Sequence, residues 1–152
     1  MKAEPLKEHQ WLQKLAGEWI MTSDEAPTSW SENVRSLDGI WVVAEGEGEM
    51  PGGGAATTIM TLGYDPHKKR YIGTWVGSMM SHMWLYEGAL DETGNVLTLE
   101  TEGPDFWTEG RRAKYQDIIA FEDDDRRVLT SRMLNDDGTW KEVMSARYRR
   151  NK

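Results

Sequence analysis

The sequence contains few residues whose types and spacing could do chemistry. Its three histidines, His9, His67 and His82, are far apart, and neither a His-Glu-x-x-His motif nor a nucleophile elbow occurs. Cysteine is absent, which excludes thiolate nucleophiles and zinc–thiolate sites. We therefore predict no metal, no cofactor and no catalytic residue, and the sequence favours a protein without enzymatic activity.

His82 lies in the most apolar part of the chain, between Met79 and Tyr86. Three interpretations of this histidine stay open at the level of sequence. It is a core residue with a satisfied hydrogen bond, a polar anchor for the head group of a ligand, or an axial ligand to haem.

Two carboxylates, Asp117 and Glu142, are predicted to face an apolar interior. Alternation along the chain puts Asp117 on the buried face of one strand and Glu142 on the same face as Met144 of another. An ionised carboxylate is stable in such an interior only when it is paired. Arg132 is the expected partner; alternatively, Arg132 or Tyr115 contacts the carboxylate of a bound acid. An enzyme would have to use Asp117, Glu142 or His82.

The elements that position these residues are one short helix followed by strands. Residues 5–16 are predicted to form the helix, because Trp11, Leu12 and Leu15 share one side and Gly17 suits a C-terminal stop. After it, turn residues separate runs of strand length. The predicted strands are 18–23, 29–37, 40–50, 55–64, 70–79, 81–90, 96–101, 111–122, 126–135 and 139–149.

These elements predict an all-β fold in a single domain over residues 1–152. A meander of about ten antiparallel strands with no crossover helices leaves two exposed edges unless the sheet closes. We therefore expect a barrel with a short N-terminal helix, and a two-sheet sandwich is the alternative. The two central strands do not show which of their faces is interior, because the set with Tyr71 and Trp75 competes with the set with Ile72 and Val76.

Several segments resemble known families. Gly17-Glu18-Trp19 resembles the Gly-x-Trp element of lipocalin and calycin barrels. The whole chain is similar to a bacterial family known as domain of unknown function 1579 (DUF1579), through segments 8–12, 15–19, 39–46, 60–65 and 77–84. The resemblance implies a calycin-like barrel and brings no established activity. It also implies that Trp19 plugs the closed end, with Arg147 or Arg149 of the final strand across its ring.

A barrel of this strand number is too wide for side chains to fill, so it leaves room for a small ligand. The chain has eight Trp and nine Met residues, whose rings and thioethers can line such a cavity. We predict an apolar pocket that opens opposite Trp19. Its predicted lining is Trp75, Met79, His82, Trp84, Tyr86, Tyr115, Arg132 and Met144.

The leading functional hypothesis is non-catalytic binding of a small apolar or amphipathic molecule. The alternative is a protein interaction module, a homodimer with a filled barrel, which would expose Trp30, Trp41 or Trp107 as a patch. An enzyme or a haem-binding barrel ranks below these two hypotheses. The formal net charge of −8 and the scattered basic residues exclude nucleic acid as a partner. Without a signal-peptide pattern or an apolar membrane span, we expect a cytoplasmic protein.

Overall fold

The computed structural model describes residues 2–23 and 26–152, and for residues 26–28 the backbone alone. A helix, α1 (Lys7–Leu12), runs into a 3-10 turn, Gln13–Leu15, so the α-helix ends earlier than predicted. Ten strands follow: β1 (Gly17–Ser23), β2 (Ala26–Leu37), β3 (Trp41–Glu49), β4 (Ala55–Asp65), β5 (Arg70–Gly77), β6 (Trp84–Leu90), β7 (Val96–Pro104), β8 (Arg112–Asp123), β9 (Arg126–Leu134) and β10 (Trp140–Arg150).

The strands form a closed antiparallel barrel, as the sequence predicts. Each strand pairs with its neighbours in the sequence, and β1 pairs with β10 through a register that joins Trp19 to Arg150 and Thr22 to Arg147. Closure satisfies the backbone groups that an open meander would leave unpaired at its edges.

Alternation decides which side chains enter the barrel. In β3, Val42 and Ala44 are buried, whereas Glu45 and Glu47 are exposed. In β5, the interior face is the one that carries Tyr71 and Trp75: Trp75 lines the interior cavity and Tyr71 is buried in the core.

Helix α1 covers one end of the barrel. His9 fixes it there, because its Nδ1 accepts a hydrogen bond from Leu6 N–H and its Nε2 then donates to the carbonyl of Tyr64, 3.1 Å away. Tyr71 donates its hydroxyl proton to the carbonyl of Glu8, and Trp11 Nε1 donates to that of Gly94. We call this the closed end. The loops at 50–54, 78–83, 105–111 and 135–139 surround the opposite, open end.

Trp19 lies under the helix at the closed end and is fully buried, and its Nε1 donates to the carbonyl of Leu15 at 2.8 Å. Arg147 and Arg149 do not cross its ring, so that prediction is wrong. Along β10, inward-facing side chains are those of Ala146, Tyr148 and Arg150. The side chains of Arg147 and Arg149 lie between them, point outward and are exposed. Instead, the guanidinium carbons of Arg150 and Arg127 lie 4.3 and 4.5 Å from the ring centroid.

Glu142 does not face the interior either, because β10 contains a bulge. The register passes from Glu142 opposite Arg132 directly to Met144 opposite Ser131. Val143 is therefore an extra residue, and it lines the interior cavity together with Met144. The bulge changes the alternation and leaves Glu142 exposed on the outer wall.

Candidate functional site: a cavity with two lobes

The barrel encloses a cavity that has two lobes. Lobe 1 has a volume of about 370 Å³ and extends from Leu15 and Arg127 near the closed end to Met50, Pro51 and Met79 at the open end. Its walls are mostly apolar; among the residues on them are Met21, Trp30, Val34, Val42, Ala44, Leu62 and Ile119. A guest could therefore bury apolar surface along most of the length of the barrel.

Lobe 2 lies beside lobe 1, toward β6 to β10, and has a volume of about 290 Å³. Aromatic rings dominate it, and the residues that line this lobe alone are Met80, Trp84, Tyr86, Thr101, Phe106, Tyr115, Asp117, Ser131 and Val143. Four residues line both lobes, namely Met60, Trp75, Leu129 and Met144. Two of these four are flexible methionines, which can change rotamer to connect or separate the lobes.

Two glycines make room for the rings that line the cavity. A Cβ atom at Gly77 would lie 2.7 Å from the ring of Trp75, and one at Gly103 would lie 2.3 Å from the ring of Trp84. Real Cβ atoms do not approach other heavy atoms so closely. Glycine at these two positions therefore allows each indole to lie against the neighbouring backbone.

The two charged groups of lobe 1, Arg127 and Glu32, lie toward its closed end and are paired with each other. The guanidinium of Arg127 is almost fully buried and forms an ion pair with Glu32 at 2.5 Å. Its central carbon lies 4.0 Å from the centroid of the Tyr148 ring, on which it stacks in addition to Trp19. Burial, followed by the charge of Glu32, raises the pKa of Tyr148 far above its ordinary value. This hydroxyl therefore stays protonated at neutral pH.

Lobe 2 contains the carboxyl group of Asp117, which faces inward as predicted. Tyr86 donates its hydroxyl proton to Asp117 Oδ2 at 2.5 Å, and Ser131 also hydrogen-bonds the carboxyl group. No salt bridge joins Asp117 to any residue in the described part of the chain. Burial raises the pKa of Asp117, although both hydroxyls oppose this shift by stabilising the ionised form.

Arg132 is not the partner of Asp117. It alternates with Ser131, which lines lobe 2, and with buried Met133, so its side chain points out of the barrel. There its Nε donates to Gln116 Oε1 at 2.8 Å, and its guanidinium lies 5.0 Å from the centroid of the Trp140 ring. The predicted pairing fails because β8 and β9 place Asp117 and Arg132 on opposite faces of the sheet.

Six of the eight predicted pocket residues lie on the cavity: Trp75, Met79, Trp84, Tyr86, Tyr115 and Met144. His82 lines neither lobe. It lies in the loop before β6, half-buried, with its ring edge-on to Trp84 at 4.7 Å and its Nε2 3.3 Å from the carbonyl of Glu102. His82 therefore packs against the ring of Trp84 without lining the cavity. That the six residues bind a ligand stays a prediction.

Sequence reasoning missed Met60, Leu129 and Ser131, as well as Phe106. The first three lie on β4 and β9, where the same period-two alternation indicates an inward face. Phe106 comes from the loop between β7 and β8, where no periodic signal exists.

The tryptophans proposed for an interaction surface do not form one patch. Trp41 begins β3 at the closed end and is 40% exposed, whereas Trp107 lies in a loop at the open end and is 53% exposed. Trp30 lines lobe 1. The aromatic cluster that would have marked a protein interface is therefore not present among these three residues.

Residues 2–23 and 26–152 contain neither a metal-binding cluster nor a membrane-spanning helix. No group of three or more His, Asp or Glu residues there is arranged to hold a metal ion. No helix in this part of the protein has the length and apolar character needed to cross a membrane.

The fold and the cavity define a closed ten-stranded barrel with an internal, mostly apolar chamber. The chain belongs to the family described as Protein of unknown function (DUF1579), whose model matches residues 4–150. The chain matches no curated protein.

Solved structures with a similar shape include two redesigned barrels. One is 10% identical with a TM-score of 0.47 and covers 94% of this chain and 96% of its own. The other, mFAP1 bound to DFHBI, is 12% identical with a TM-score of 0.44 and covers 93% of this chain and 99% of its own. Likeness at this level carries no argument about what the present chain binds.

Proposed function

We propose that this protein binds one small, mainly apolar molecule inside the barrel. The observation that carries the proposal is the cavity, whose two lobes of about 370 and 290 Å³ share four residues. Ligand pockets in proteins are typically roughly 300 to 1,000 Å³ in volume, with apolar walls and a few placed polar groups. Both the size and the lining of this cavity fit that description.

The chemistry of the lining supports binding over catalysis. No histidine lines either lobe, so the hydroxyls of Ser131 and Tyr86 lack an imidazole base. Arg127 is committed to Glu32 and to the two rings on which it stacks. What these side chains offer a guest is apolar contact area and hydrogen bonds.

The barrel is also proposed to be related to the lipocalin and calycin barrels. Gly17-Glu18-Trp19 opens β1, and Arg150 of the final strand lies across the Trp19 ring, which supports that relationship. We further propose that the protein acts in the cytoplasm, for which a chain without cysteine is suited.

Binding is tested with prodan, a neutral apolar dye whose emission rises in apolar surroundings. We expect saturable binding of one dye per chain. Met60→Trp adds a ring at the boundary between the lobes and should weaken dye binding by about tenfold or more, equivalent to roughly 1.4 kcal/mol. The matched control is Ile59→Trp, since Ile59 lies next to Met60 on the outer wall and is 39% exposed.

The outcomes separate an internal site from surface adsorption. Loss of affinity in Met60→Trp with unchanged affinity in Ile59→Trp supports the internal site. Equal dye binding by both variants and the unmodified protein, or no saturable binding at all, contradicts the proposal. Native mass spectrometry of freshly purified protein then shows whether a small molecule co-purifies.

A further inference from the structure

We propose that the molecule bound in the barrel carries a basic nitrogen, an amine or a related cation, which donates hydrogen bonds to Asp117 in lobe 2. This inference rests on the proposed function, because it specifies the chemical class of the guest. Three separate features of lobe 2 support it.

The first feature is a carboxylate with free acceptor capacity. An ionised carboxylate can accept about four hydrogen bonds. Asp117 has two hydroxyl partners, Tyr86 and Ser131, and lines the cavity. A donor from the guest can therefore bond to Asp117 without displacing either hydroxyl.

The second feature is the set of aromatic rings that line the same lobe as the carboxylate. Trp84 and Tyr115 meet edge to face at 5.2 Å between centroids, and Phe106 lies 5.4 Å from Tyr115. All three rings line lobe 2 together with Tyr86 and Asp117. Aromatic faces attract cations, and cages of such rings are a known way to bind ammonium groups.

The third feature is an unsatisfied hydroxyl in the same lobe. Thr101 Oγ1 is buried without a hydrogen-bond partner. Thr101 is directly opposite Tyr115 across the sheet, and Leu99, two residues earlier in β7, is opposite Asp117. Buried polar atoms are rarely left unpaired in proteins. Because Thr101 and Asp117 line the same lobe, a second polar group of the guest could be the partner of this hydroxyl.

The charges around Asp117 favour a cation over an acid. The groups that face it are the hydroxyls of Tyr86 on β6, Ser131 on β9 and, more distantly, Tyr148 on β10. Arg127, a cation that lines lobe 1, is on the far side toward the closed end and is neutralised by Glu32. An anionic guest would meet the repulsion of a carboxylate in a medium of low dielectric constant. The net charge of −8 adds a field of the same sign.

The test compares three aromatic probes of nearly equal shape by isothermal titration calorimetry at neutral pH. These are naphthylmethylamine, naphthalenemethanol and naphthoate, which are cationic, neutral and anionic. We expect the amine to bind at least about tenfold more tightly than the alcohol, as a charge-assisted hydrogen bond predicts. The anion should bind most weakly.

Asp117→Asn removes the charge and keeps the shape. In this variant the preference for the amine should disappear, while the affinity for the alcohol stays within about twofold, well below the tenfold scale of a lost interaction. The matched control is Glu122→Gln, which removes one charge from the same strand at an exposed position. It should retain the preference for the amine.

Each outcome has one meaning. If all three probes bind equally, or the anion binds best, the assignment of a basic nitrogen is wrong and the cavity proposal stands. If none of the three binds, the proposed function itself fails. The comparison of probes in the unmodified protein tests the inference even if Asp117→Asn does not fold. Persistence of the amine preference in folded Asp117→Asn also overturns it.

Discussion

Arg127 shows how a single buried charge can organise one end of the barrel. Its guanidinium is only a few per cent exposed, lies between two aromatic rings and is paired with Glu32. Its Nε is buried without a hydrogen-bond partner, so the ion pair and the ring contacts are the interactions that oppose its desolvation cost. Loss of this residue would leave the carboxylate of Glu32 uncompensated.

We expect Arg127→Met to lower the free energy of unfolding by about 3 to 5 kcal/mol, the range for breaking a buried ion pair from one side. Urea denaturation followed by circular dichroism measures this change. Arg149→Met is the control, because Arg149 is exposed on the outer wall and should change stability by less than about 0.5 kcal/mol.

The double variant Arg127→Met with Glu32→Gln distinguishes charge from packing. It should recover part of the lost stability, since no unpaired charge then remains inside. Similar effects for Arg127→Met and Arg149→Met would mean that the closed end does not depend on this ion pair.

At the scale of elements, the loop between β7 and β8 covers lobe 2 at the open end. Asp105 shapes this loop by accepting hydrogen bonds from the backbone N–H groups of Trp107 and Thr108. Phe106 projects onto Tyr115 and lines the lobe although it is 51% exposed. The ring centroid of neighbouring Trp107 lies 4.0 Å from Lys141 Nζ, and Trp107 lines neither lobe. The loop therefore separates a ring that faces the cavity from a ring that faces β10.

Phe106→Ala should speed ligand release by about tenfold, equivalent to roughly 1.4 kcal/mol of lost contact, because the guest loses one wall of its cage. Stopped-flow displacement of naphthylmethylamine measures this rate. Trp107→Ala removes an equally exposed ring from the same loop and should leave the rate nearly unchanged. If both variants release the probe at the same rate, Phe106 does not cover the site.

Strand alternation explains which parts of this architecture the sequence predicts. It places Asp117 and Tyr115 inside, and the turn residues divide the chain into ten runs that match the observed strands closely. It fails in β10, since no glycine or proline in segment 140–149 marks the bulge at Val143. It also fails for Phe106, which reaches the cavity from a loop, where side-chain direction has no period. The contact of Arg150 with the ring of Trp19 joins the two ends of the chain and forms only when the barrel closes, so no local sequence pattern predicts it.

At the scale of the whole molecule, the ionisation of the carboxylates sets how stability depends on pH. Several exposed aspartates accept hydrogen bonds in turns or pair with lysine or arginine, and these contacts lower their pKa values; they are Asp65, Asp91, Asp125 and Asp137. Each contributes stability above its unfolded pKa of about 3.9, and this contribution is lost as the pH falls through the lowered folded value.

Asp117 has the opposite effect, because burial raises its pKa in the folded protein. Between the unfolded pKa, about 3.9, and the raised folded value, the folded state binds more protons than the unfolded state, so stability falls as the pH rises. Above the folded value the cost of the buried charge is fully present. Asp117→Asn removes this dependence and keeps an acceptor for the hydroxyls of Tyr86 and Ser131.

We therefore expect Asp117→Asn to melt at a higher temperature than the unmodified protein at pH about 7 and to lose this advantage as the pH falls toward the unfolded pKa of about 3.9, below which Asp117 is mostly protonated in both states. Melting curves across this range, without ligand, give the difference directly. Glu122→Gln, at an exposed position on the same strand, should follow the unmodified protein throughout. A constant difference between Asp117→Asn and the unmodified protein at every pH would show that Asp117 does not titrate in this range. A saturating amine should narrow the difference near pH 7, since a bound cation stabilises the ionised form of Asp117 and binds the folded state alone.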